Sequence, residues 1–158
     1  MPFGTQAAVG GKVAAGITNQ FSDMPSGVSV NSDTTTRLIS SASFANIPTA
    51  SIATSLVLTR TTLVAVNISV AIGSGGLATP TGIAALGYNL SGALTEAATD
   101  LKAVTGFTPG TQIISPAATF WYVVPAGTLT ATLQARIVLG GNVNIRNHMV
   151  QLVAVRAA

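Results

Sequence analysis

Apolar and polar residues alternate along most of this chain. The alternation is clearest over residues 119–138, which read T-F-W-Y-V-V-P-A-G-T-L-T-A-T-L-Q-A-R-I-V. Leu129, Ala131, Leu133, Ala135 and Ile137 share one face, and Thr130, Thr132, Gln134 and Arg136 share the other. Period-two alternation of this kind predicts a strand of an antiparallel sheet with one buried side. Pro fixes φ and cannot donate to a ladder, and Gly accepts positive φ, so Pro125-Ala126-Gly127 predicts a hairpin turn.

The same grammar runs through the middle of the chain. Over residues 51–60, Ile52, Thr54, Leu56 and Leu58 alternate with Ala53, Ser55, Val57 and Thr59. Over residues 61–72, Val64, Val66, Ile68, Val70 and Ile72 fall opposite Leu63, Ala65, Asn67, Ser69 and Ala71. That second face is small and only mildly polar, which predicts a strand covered on both sides. Residues 34–43 are β-prone, and residues 43–50 read as a turn anchored by Phe44 and Ile47. Residues 73–82 read as a flexible loop. Residues 83–90 and 93–98 suggest a strand pair about Ser91-Gly92, although residues 94–104 also fit one or two helical turns. Gly106, Pro109, Gly110 and Pro116 mark residues 105–116 as a loop. A turn at 140–142 leads to a short strand at 143–146, and a last strand follows at 149–156.

Residues 1–34 lack this pattern; they are rich in Gly and Ala, with isolated Phe3, Val9, Val13, Ile17, Phe21 and Met24. Such a segment buries too little to offset its ordering entropy unless it docks on a neighbour. The division expected is an extended N-terminal arm, 1–34, and an all-β domain, 35–158. Short strands with turn signals every 8–12 residues predict a sandwich or barrel.

Composition changes the picture in one respect. Charged residues are only 7% of the chain, against about 25% in an ordinary soluble domain. Charge keeps proteins apart in solution, so the deficit predicts a surface largely covered by other subunits. A membrane partner is not expected, because Thr, Ser, Asn and Gly interrupt every apolar run well short of about 18 residues. With five Phe, two Tyr and one Trp, the chain is also poor in the aromatics that girdle outer-membrane barrels. No signal peptide is read at the start of the chain. The absence of Cys excludes a disulfide framework. The seven cations, Lys12, Arg37, Arg60, Lys102, Arg136, Arg146 and Arg156, form no stripe, which argues against nucleic acid.

Catalytic ingredients are scarce. Glu96 and Asp100 have i, i+4 spacing but no accompanying base. His148 is the only histidine, so one chain cannot assemble a His-based zinc site. A triad would have to join His148 to Asp23, Asp33 or Asp100, and no nucleophile elbow occurs. Gly73-Ser74-Gly75-Gly76 lacks the G-K-[ST] ending of a phosphate loop. No enzymatic activity, metal or cofactor is expected.

Four stretches carry a family resemblance: S-A-S-F-A-N-I-P at 41–48, G-Y-N-L-S-G at 87–92, V-V-P-A-G-T-L-T-A-T-L-Q-A-R at 123–136, and G-G-N-V-N-I-R-N-H-M-V-Q-L-V-A-V at 140–155. Over roughly residues 36–156 the order of features resembles the C1q/TNF-like jelly-roll modules found among bacteriophage virion proteins. Ser91 stands where such relatives often have Asp, so no role is carried over to that loop. The resemblance implies an antiparallel jelly-roll β-sandwich, a homotrimer, and an oligomer interface containing Tyr88, Phe120, Trp121 and Tyr122. Because neighbours alternate, Trp121 points opposite to Phe120 and Tyr122, so one side of that strand is ordinary core. It further implies a head decoration (cement) protein at the capsid surface, with the major capsid protein as partner. Phe3, Lys12 and Phe21 of the arm would contact the capsid. The alternatives are a fibre or spike tip that binds a host receptor and, third, a small capsid shell subunit.

Overall fold

The structure, a computed structural model, describes residues 27–49, 51–73, 82–108 and 112–157. They form ten strands and one short 3₁₀ turn. The strands are β1 (Gly27–Asp33), β2 (Arg37–Ile39), β3 (Ala45–Asn46), β4 (Ala53–Leu58) and β5 (Thr62–Ile72). They continue as β6 (Gly82–Gly92), β7 (Val104–Thr108), β8 (Ala117–Val124), β9 (Gly127–Gly140) and β10 (Val143–Ala157). Two five-stranded antiparallel sheets result. One has the order β1-β10-β5-β8, with β2 following β1 along the same edge of β10. The other has the order β3-β9-β6-β7, with β4 also on β9.

The chain changes sheet at six of its nine connections: β2 to β3, β4 to β5, β5 to β6, β7 to β8, β8 to β9, and β9 to β10. Only β6 and β7 are both consecutive and paired with each other. This is a jelly-roll β-sandwich. It corrects the reading of Pro125-Ala126-Gly127 as a hairpin turn. β8 pairs with β5 and β9 pairs with β6 and β4, so the turn carries the chain from one sheet to the other. The turn at 140–142 likewise joins β9 to β10 across the sandwich. Turn chemistry sets where a strand stops; it does not choose the strand's partner.

The alternation did predict which side faces in. Val64, Val66, Ile68, Val70 and Ile72 of β5 are buried, as are Ile52, Leu56 and Leu58 around β4 and Leu129, Ala131, Leu133 and Ala135 of β9. With Val150 and Leu152 of β10 and Leu86 and Leu90 of β6 they make one core between the sheets. Removing that area from water, at about 25 cal/mol per Å², is the main force holding the sheets together.

Three expectations for the middle and end of the chain change. Residues 93–98 form no strand; only Glu96 bridges Leu90, and the 3₁₀ turn is at Asp100–Lys102. Residues 105–108, expected as loop, belong to β7 on the edge of the second sheet. The segments at 143–146 and 149–156 are one strand, β10, interrupted by a bulge where Asn147 takes φ 48°. At the end of β6, Gly92 has φ 90°, and a Cβ there would lie 2.1 Å from the Thr128 carbonyl oxygen, so this turn requires glycine. Finally, residues 27–33, assigned to the arm from sequence, are β1 of the sandwich. The remainder of the proposed arm, with Phe3, Lys12 and Phe21, lies outside the described residues.

Candidate functional site

β1 reads G-V-S-V-N-S-D, and its polarity is inverted. Ser29, Asn31 and Asp33 turn inward. Ser29 Oγ lies 2.6 Å from Thr54 Oγ1, and Asn31 Nδ2 donates to the Ala53 carbonyl at 2.9 Å. Asp33 accepts from the Thr35 N–H at 2.8 Å and from Arg37 Nε and Nη2 at 3.0 and 2.8 Å. These bonds dock β1 against β4, tie β2 to β1, and leave few inward polar groups unsatisfied. The valines of β1 point the other way, with Val28 63% and Val30 55% exposed.

The register continues those valines across the whole sheet. Val28 stands beside Val153, Val153 beside Ala65, and Ala65 beside Trp121, which is 58% exposed. Val123, also exposed, lies beyond Trp121 on β8, opposite Leu63. The next row is Val30, Gln151, Asn67 and Thr119. Here Thr119 Oγ1 donates to Asn67 Oδ1 at 2.7 Å, and Asn67 Nδ2 donates to Gln151 Oε1 at 3.0 Å. Neither row contains a charged residue. The outer face of the first sheet is thus an apolar band from Val28 to Trp121 beside a hydrogen-bonded polar rail.

The outer face of the second sheet is mixed: Val57, Phe107 and Leu139 are exposed, with Ile83 between the last two, and polar pairs lie among them. Ser55 and Thr130 hydroxyls meet at 2.8 Å, and Gln134 Nε2 donates to Asn46 Oδ1 at 3.2 Å. Thr128, Thr132 and Asn89 lie near these pairs, with exposed Val57 opposite Thr128.

Of the expected interface residues, the structure puts only Trp121 outward. Tyr88 is buried, and Phe120 and Tyr122 pack against the core from the opposite sheet. The Tyr88 and Tyr122 hydroxyls are 2.6 Å apart, and the Tyr88 and Phe120 rings are 5.4 Å apart at 54°. Burial pushes both phenols upward, and Tyr88 further through its bond to Tyr122, so both stay neutral at physiological pH. These three aromatics tie the two sheets together. The strand's alternation selects which of its aromatics reaches the surface.

The candidate carboxylates are occupied. Glu96 is paired with Lys102, and Asp100 takes both Arg136 Nε and Nη2, so the two acids do not share a site. His148 is fully buried, with neither ring nitrogen hydrogen-bonded, and its Nε2 is 3.7 Å from Asp33 Oδ2. Burial pushes its pKa down; Asp33 pulls up and Arg37 opposes that pull. Among the described residues no group of three or more His, Cys, Asp or Glu side chains is placed to hold a metal ion. No described helix is long and apolar enough to cross a membrane.

Sequence reading missed Asn67, Gln151 and Thr119 as a set because they come from three strands far apart in the chain. Val28 and Val30 fall in the segment read from sequence as an arm, and nothing local says that they face outward.

No protein-family model matches the chain, and no curated protein matches it. Solved structures do resemble it. The Eiger TNF of S. frugiperda superposes with a TM-score of 0.52 at 11% identity, covering 85% of this chain and 95% of that one. A chain of the T13 IBDV viral particle superposes with a TM-score of 0.50 at 9% identity, covering 82% of this chain and 31% of that one. At such identities the likeness is one of fold: the jelly roll found here is shared with a TNF and with a subunit of a virus particle.

Proposed function

We propose that this chain is a structural protein of a virus particle that acts as a homotrimer: a bacteriophage head decoration protein that bridges capsid subunits. The observation that carries the reading is the inverted polarity of β1, which spends its valines on an outer face already lined by Val153, Ala65 and Trp121. A contiguous apolar face on a chain with only 7% charged residues is a surface made to be covered. A second copy is the covering partner, because two uncharged faces bring no like charges together. The role is mechanical, and in this reading there is no catalysis, cofactor, nucleic acid or membrane. The fold it shares with a virus-particle subunit supports the viral setting.

Two measurements test this. Sedimentation equilibrium of the purified chain should give a trimer, and Trp121→Asp should weaken association by roughly 30-fold or more, the loss expected for a buried aromatic anchor of about 2 kcal/mol. The copy number in purified particles, relative to the major capsid protein, should be near unity or a simple lattice fraction. A chain that stays monomeric at micromolar concentration sinks the oligomer. A copy number of a few per cent sinks the decoration role.

A second reading has one observation of its own. Trp121 lies exposed beside a row of Thr, Asn and Gln side chains, a combination of ring face and amides that suits a saccharide. This is the fibre or spike tip that binds a host receptor. Trp121 is the only tryptophan, so quenching or shift of its fluorescence by saccharides reports directly on this reading.

A further inference from the structure

The rail has a direction. Thr119 gives its only hydroxyl proton to Asn67, so its oxygen is left with acceptor capacity alone. Gln151 accepts through Oε1 from Asn67 and keeps both N–H donors of its amide free. One end of the rail thus carries free N–H donors and the other an oxygen that can only accept.

A second copy laid on this face buries the rail along with the apolar band. Buried donors and acceptors left unpaired are costly, so the rail restricts which arrangements are stable while the apolar rows supply attraction without direction. Two Thr119 ends together leave oxygens that have already given their protons facing each other without a donor, whereas the free amide donors of Gln151 can supply one. We propose that the rail sets the register of self-association, with the Gln151 end of one copy meeting the Thr119 end of the next. This rests on the self-association reading and adds to it the residues that select one arrangement among the many an apolar face permits, as a single buried polar position does in coiled coils.

Sizing of the full chain and its variants by native mass spectrometry tests the rail. Thr119→Val and Gln151→Leu each keep side-chain volume and remove one end; both should replace the single wild-type mass by a mixture of species, whereas Thr119→Ser should keep it. Because the chain has no cysteine, contact can be read separately. Thr119→Cys and Gln151→Cys chains, co-expressed and treated with a short bismaleimide, should give cross-linked pairs, and neither variant alone should. Homotypic cross-links, or apolar variants that keep the wild-type mass, would overturn the register. A wild-type chain that is monomeric in the same instrument would instead overturn the self-association on which the register depends.

Discussion

At the scale of single residues, His148 is the most consequential departure from ordinary packing. It is enclosed with both ring nitrogens unpartnered, and the nearest carboxylate, Asp33, is already neutralised by Arg37 and held by the Thr35 N–H. A proton on His148 would therefore add an uncompensated positive charge to the interior, which is why its pKa falls below 6.5. The unfolded chain takes that proton more readily, so the neutral histidine's contribution to stability is present in full above pH 6.5 and is lost as pH falls below it. Asp33 acts in a separate window. The Thr35 N–H and then Arg37 hold it well below its ordinary 3.8, so its contribution is present above that value and is lost in stronger acid. Urea midpoints measured from pH 8 to pH 3 should show both losses. His148→Leu should abolish the step between pH 7 and 5 and keep the one below 4; an unchanged profile would mean that His148 does not carry the effect. The tyrosine pair gives a second test at this scale. Tyr122→Phe leaves the Tyr88 hydroxyl buried without its 2.6 Å partner, which should cost about 1–3 kcal/mol in urea unfolding. Changing both to Phe should cost less than the two single changes summed, because no hydroxyl is then stranded.

At the scale of elements, each strand has two faces with different consequences. Leu133 of β9 is completely buried, and Leu133→Ala should destabilise the fold by about 2–5 kcal/mol. Val57 of β4 is largely exposed, and Val57→Ala should stay within about 0.5 kcal/mol. Chemical denaturation of the two variants side by side checks the assignment of faces. β1 is the exception that links stability to assembly. Its inward Ser29, Asn31 and Asp33 hold the strand in place, while its outward valines hold nothing within one copy. Val28→Ser with Val30→Ser should leave the urea midpoint nearly unchanged while reducing the oligomer population at a given concentration. A parallel fall in both would place the valines in the fold itself. In β4, β5 and β9 the inward face was readable from sequence because the apolar residues are there. In β1 it was not, because the interior accepts a polar side chain wherever a partner such as Thr54 or the Ala53 carbonyl waits for it.

At the scale of the whole molecule, nearly every strand pairs with one distant in sequence: β1 with β10, β5 with β8, β4 with β9. Loop closure must precede such contacts, so folding should be slow, in the range of about milliseconds to seconds. Stopped-flow refolding followed through Trp121 reports it, and a microsecond phase accounting for the full amplitude would contradict this topology. Self-association gives the same tryptophan a second use. Its emission should shift to the red on dilution as the face returns to water, and an emission maximum independent of concentration would mean the face stays open.

Residue order alone determined where most strands run and which side of β4, β5 and β9 is buried, because a strand's period is two and both faces lie within a few residues of one another. It also determined that charge is too scarce for an ordinary exposed surface. The partners of those strands were decided only in three dimensions. Turns at 125–127 and 140–142 look like hairpin turns, yet each joins two sheets, because pairing depends on which distant strand offers a matching apolar face. The outward display of Val28 and Val30 is likewise a tertiary choice, made by inward bonds to residues more than twenty positions away. The rail of Thr119, Asn67 and Gln151 exists only where β8, β5 and β10 lie side by side.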